Sequence, residues 1–165
     1  MHTPSVIAAL VMIMAGAPQD PTTVRIFDAV LQRVQKMVPE RQLVLSERRI
    51  TRPVVDHSPR QPVRSHPRPL IRRVVEQGRV VRSCPAQATH AFGDCAATEE
   101  ISVVSLGDPV ISSGGDTAEV DVELWSLNES GRNERARRFN ARYVFELRLE
   151  SGRWTVSEVR IAQSS

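Results

Sequence analysis

Apolar residues recur at spacings of three and four after residue 20, as Val24, Phe27, Val30, Leu31, Val34 and Val38. That period puts them on one face of a helix, with Arg25, Asp28, Gln32, Arg33, Gln35 and Lys36 falling largely on the other. Asp20 followed by Pro21 is a helix start, an N-cap carboxylate and a proline at the first helical position, and Pro39 ends the pattern. A short strand is expected over 43–50. A brief helix is expected over 69–77, with Leu70, Ile71, Val74 and Val75 as its buried face and Gly78 as its stop.

From residue 101 the period changes to two. Val120, Val122 and Leu124 alternate with Glu119, Asp121 and Glu123. Phe139, Ala141, Tyr143, Phe145, Leu147 and Leu149 alternate with Arg138, Asn140, Arg142, Glu146 and Arg148. Alternation of this kind marks half-buried antiparallel strands. Ser151-Gly152 predicts a two-residue hairpin turn, residues 128–134 a longer loop, and the run 101–106 a first strand, which together give a four-strand meander. Trp154 and Val156 share one parity while Val159 and Ile161 share the other, so a bulge is expected near Ser157 and Glu158. The acidic residues 119, 121 and 123 are expected to face Arg138, Arg142 and Arg148 as cross-strand ion pairs on the solvent side, with Trp125 on that same polar face. The fold class that follows is α+β: an N-terminal amphipathic helix packed on a curved antiparallel sheet.

Composition alters this picture mainly between the two patterned regions. Residues 53–69 hold five of the chain's eleven prolines and almost no apolar side chains, so they read as a flexible loop or extended arm. The 22 basic residues comprise 21 arginines and the single Lys36, a bias that a GC-rich genome produces without selection for arginine chemistry. Their distribution is informative, because eight arginines from Arg52 to Arg82 face only Asp56 and Glu76. Such a stretch suits an anionic surface or polyanion, with Arg60, Arg64, Arg68, Arg72 and Arg73 as its candidate contacts. Sequence-specific nucleic-acid recognition is not expected.

Residues 6–14 form an uninterrupted apolar run followed by Ala15-Gly16-Ala17, the pattern of a secretory signal over residues 1–17 ahead of a single domain over 18–165. Two features count against that pattern, the lack of Lys and Arg in the first five residues and Pro18 directly after the Ala-x-Ala site; an upstream start or a slightly displaced cleavage would account for both. Retention as a short anchor or burial as a helix are the alternatives. Cys84 and Cys95, eleven positions apart around Pro85 and Gly93, are expected to pair in the oxidising periplasmic or extracellular space to which such a signal leads. The alternatives are two buried thiols or a metal site that adds His90, although zinc ordinarily takes four ligands and no second Cys/His pair stands at finger spacing. No metal and no cofactor is expected.

The leading helix, the long C-terminal strands and the closing pattern Gly152-Arg153-Trp154-Thr155-Val156 resemble the NTF2-like (SnoaL-like) α+β cone superfamily, of the kind carried by exported bacterial proteins. The resemblance covers 21–38 and 101–161, and it implies a scaffold that hosts isomerases, dehydratases, binding proteins and accessory domains alike. Enzymatic members set an Asp/His pair inside the cone, and no position here matches that pair. The nearest acid/base candidates are His90 with Asp94, joined by Asp56 or His57, where a histidine oriented by a carboxylate acts as general base. His57 and His66 on the proline-rich arm are candidates for weak metal binding only. No phosphate loop, His-Glu-x-x-His helix or Gly-x-Ser-x-Gly elbow occurs. The leading expectation is a non-catalytic module that binds a small ligand or an envelope protein in the concavity of the sheet. The alternatives are a small NTF2-like enzyme using His90 and Asp94, and an envelope-associated polyanion binder acting through the arginines of 52–82.

Overall fold

The computed structural model describes residues 21–51, 63–88, 95–128 and 137–164. The fold is α+β, and the described residues form two helices and a mostly antiparallel open sheet of seven strands. Helix α1 spans Pro21–Met37, and Val24, Ile26, Phe27, Val30, Leu31 and Val34 are its buried residues. Its C-terminal turn is tied down by the Gln35 amide, whose Nε2 donates to the carbonyls of Val38 (3.3 Å) and Arg41 (2.8 Å). Helix α2 spans Arg68–Glu76, with proline in its first turn and Leu70, Ile71 and Val74 buried. It stops at Gly78, which takes the left-handed conformation (φ 78°) that a side chain would resist.

The strands are β1 (Gln42–Ile50), β2 (Arg82–Cys84), β3 (Ile101–Gly107), β4 (Val110–Ile111), β5 (Thr117–Asn128), β6 (Arg137–Glu150) and β7 (Arg153–Ser164). Their spatial order is β2-β1-β3-β5-β6-β7, with β4 also on β5. The β3–β5, β4–β5, β5–β6 and β6–β7 pairs are antiparallel, whereas β1 runs parallel to both β2 and β3. The expected antiparallel sheet is thus mostly antiparallel, with β1 as the exception. Parallel neighbours need long crossovers, and here α2 lies within the connection from β1 to β2. Beside β2, residues 64–66 return antiparallel to β1: Arg49 N donates to Arg64 O (2.8 Å) and His66 N to Glu47 O (2.9 Å).

The sheet has two unlike faces. Leu43, Leu45, Val104, Leu106, Val120, Val122, Phe145, Leu147 and Trp154 point to the side covered by α1 and α2 and form the main core. Phe27, Val30, Leu31, Val34 and Phe145 are at most 1% exposed, so the centre of this side is filled with side chains. On the opposite side Val44, Val103, Cys84 and Cys95 make a second, smaller cluster, with Trp125 packed against it.

The β6–β7 hairpin turns on Ser151 (φ 50°) and Gly152 (φ 77°), both left-handed as a type I′ turn requires. Further along, Glu146 pairs with Glu158 and Leu147 with Val156, so Ser157 is the extra residue of a bulge, and its hydroxyl donates to Glu146 O (3.1 Å). A second register shift follows between Arg142 and Tyr143.

Candidate functional site

Apart from His66, the sequence candidates divide into three groups. His90, Asp94, Arg60, Asp56 and His57 lie outside the described residues. Arg64, Arg68, Arg72 and Arg73 are all exposed and make no ion pair among the described residues. Cys84 and Cys95 stand at disulfide distance, with Cα atoms 5.8 Å apart, and help to close the second apolar cluster.

His66 departs most from its expectation. It is buried at 4% exposure in the main core, with its ring edge-to-face on Phe27 (centroids 5.5 Å apart) and Nε2 donating to the Leu106 carbonyl at 2.9 Å. The register shift of β1 against β3 between Leu45 and Arg49 lies beside it. The second ring nitrogen, Nδ1, lies 3.9 Å from Asp108 Oδ1, and Asp108 also pairs with Arg49 Nε at 3.0 Å. Nε2 thus satisfies the Leu106 carbonyl of β3, while Nδ1 is buried without a hydrogen-bond partner among the described residues. No cluster of three or more metal-ligating side chains occurs among the described residues, so the weak metal role is not supported for His66.

Burial holds the His66 pKa below 6.5; the Leu106 hydrogen bond and Asp108 pull it upward, Arg49 pushes it further down, and burial dominates. The Asp108 side chain is 54% exposed, so solvent screens its attraction for the ring. The unfolded chain therefore takes up a proton at this histidine at a higher pH than the folded chain does. Stability is unaffected well above pH 6.5 and falls as pH drops through 6.5 toward the lower folded value. Urea midpoints of the wild type and His66→Gln, measured from pH 7.5 to 5, should show the wild type losing its advantage in acid. A difference that stays constant over that range would show that His66 does not titrate between the two states.

Of the ion pairs expected on the outer face, the one through Arg142 is present, and Arg160 of β7 adds partners that the sequence pattern did not suggest. Register places Arg142 opposite Glu123, Arg148 opposite Thr117 and Arg138 opposite Leu127. Arg142 approaches Asp121 diagonally (3.5 Å), and Arg160 of β7 reaches Glu146 (2.5 Å) and, across β6, Glu119 (3.5 Å). A surface depression of about 380 Å³ between β4, β5 and β6 includes Glu119 and Glu146, so much of its charge is already matched by Arg160.

The cationic surface that remains unmatched was not singled out from the sequence. Two adjoining depressions, about 330 and 260 Å³, share Ala29, Gln32, Arg153 and Trp154 and form one groove between α1 and β7. Trp154, 6% exposed, lies at its floor. Five cations line it: Arg25, Arg33 and Lys36 from the solvent side of α1, Arg79 from the turn after α2, and Arg153 from the β6–β7 hairpin. The carboxylates are Asp28, which Arg79 Nε already holds at 2.9 Å, and Glu158. Arg25, Arg33, Lys36 and Arg153 make no ion pair among the described residues. The groove thus combines Trp154 at its floor, a concave shape and four cations without an ion pair among the described residues, features that suit an anion. Among the described residues its lining has no histidine or cysteine, and the Ser157 hydroxyl is committed to a backbone carbonyl. No family model, curated protein or solved structure matches this chain.

Proposed function

We propose that the chain is an extracytoplasmic, non-catalytic binding module that takes an anionic ligand or partner in the groove between α1 and β7. The observation that carries this reading is the set of four cations, Arg25, Arg33, Lys36 and Arg153, that make no ion pair among the described residues and surround a floor that includes Trp154. Among the described residues the lining offers no nucleophile with an adjacent base, which favours binding over covalent chemistry. An oxidising compartment is supported by the apolar run at 6–14 and by the cysteine pair at disulfide distance. No helix among the described residues is long and apolar enough to cross a membrane. An NTF2-like architecture is supported by α1 packed against one face of the sheet ahead of the long antiparallel strands β5, β6 and β7. The exposed Arg64, Arg68, Arg72 and Arg73, which make no ion pair among the described residues, support a second reading, polyanion capture on the arm and α2.

Calorimetric titration with inorganic tripolyphosphate separates the two. Arg33→Glu with Lys36→Glu should weaken binding by about tenfold or more, because each reversal replaces an attraction with a repulsion of order 1 kcal/mol. Alanine at Arg68, Arg72 and Arg73 should leave it unchanged. Affinity should also fall with added salt. If the groove variant binds as the wild type does and the α2 variant does not, the site is on the arm and α2 instead.

A further inference from the structure

The groove has a directional feature that a simple anion pocket does not need. Residues 153–159 of β7 line it without a gap, and so both parities of the strand are present. Side chains of one parity point to the helices and those of the other point away, so an unbroken run means that the groove follows the strand's edge. That edge is open: β7 ends the sheet order, and no strand pairs with its outer side among the described residues. The type I′ turn fixes which groups face outward. In a two-residue hairpin the flanking pair, Glu150 and Arg153, exchanges backbone hydrogen bonds, and the hydrogen-bonded pairs then alternate. The pair Arg148 and Thr155 is the next bonded one, so Trp154 and Val156 turn their N–H and C=O away from β6, toward the groove.

We propose that this edge binds an extended acidic peptide as an added β-strand. The proposal deepens the anion-binding reading of the groove and rests on it. Backbone hydrogen bonds to Trp154 and Val156 would hold the segment, and Arg33, Lys36 and Arg153 would select its charge. The same cations argue against a second copy of this chain as the occupant, because pairing β7 with β7 would bring like charges together. The bulge at Ser157 confines the regular ladder to residues 153–156, so the bound segment is short.

The test uses the full oxidised chain and fluorescence polarisation of labelled octapeptides alternating valine and glutamate. Two further versions carry N-methyl groups on one or the other alternate set of backbone amides, and a fourth replaces glutamate with lysine. A strand added to β7 presents only one set of amides to it, so one methylated version should lose at least about tenfold in affinity while the other binds nearly as the parent does. The lysine peptide should not bind. If both methylated peptides bind like the parent, strand addition is refuted and charge capture alone remains. If no octapeptide binds while tripolyphosphate does, strand addition is likewise refuted and the anion-binding reading stands. If neither binds, both readings fall.

Discussion

Replacing Phe27 with alanine should destabilise the protein by about 3–5 kcal/mol, the range for removing a fully packed aromatic ring. The residue is 1% exposed at the junction of α1, the sheet and the returning segment 64–66, and its ring meets the His66 ring edge-to-face. Two losses add: the burial of the ring itself and the cavity left between elements that cannot close in. The second is large here because the sheet behind Phe27 is pinned by its ladder on both sides of β3. Against a total stability of order 5–15 kcal/mol, the change should be plain in a urea titration, with a lower midpoint and an unchanged slope. A shift worth less than about 1 kcal/mol would mean that this junction is not the packed centre described above. The variant should also lose part of the acid sensitivity assigned to His66, because water reaching the ring removes the burial that lowers its pKa.

Reduction of the Cys84–Cys95 pair should have the next largest effect. Closing a loop of eleven positions contributes roughly 3 kcal/mol through the entropy of the unfolded chain. For a domain of this length the melting temperature should drop by about 5–10 °C. The pair also packs with Val44 and Val103 on the face of the sheet away from the helices. That cluster is small and Trp125 packs against it, so loosening should change tryptophan emission before global unfolding. Cys84→Ser with Cys95→Ser should reproduce both changes, and a chelator should produce neither. Stability indifferent to reductant would show that the bond is absent or carries no load.

The elements were legible where hydrophobic period and length were long. Seventeen residues of α1 and the long strands β5, β6 and β7 each repeat their pattern often enough to define a face, and the turn at Ser151 and Gly152 is set by local chemistry. The parallel placement of β1 was not legible, because nothing in nine residues records which neighbour they join or in which direction. Strand β2 has three residues and β4 two, too few to show any period. The burial of His66 is not legible in the sequence because a stretch rich in proline and arginine looks solvated on average, while one backbone pair with Glu47 is enough to carry a single ring into the core. The groove was hidden for a related reason. Arg25, Arg33 and Lys36 look like ordinary solvent-side helix residues, and only the arrangement of α1 beside the last strand brings Arg153, 117 positions from Lys36, to the same concavity. By contrast, the charge density from Arg52 to Arg82 was visible at once, and its described arginines on α2 are indeed exposed. Local charge and local concavity are separate properties, and only the second needs the fold.

Whether the groove between α1 and β7 is the binding surface is tested most directly by amide chemical-shift mapping of the oxidised protein during titration with tripolyphosphate. Saturable shifts should concentrate at Ala29, Gln32, Arg33 and residues 153–159, and they should weaken as salt is added. Shifts confined to residues 64–73, or scattered evenly over exposed arginines with no saturation, would contradict it.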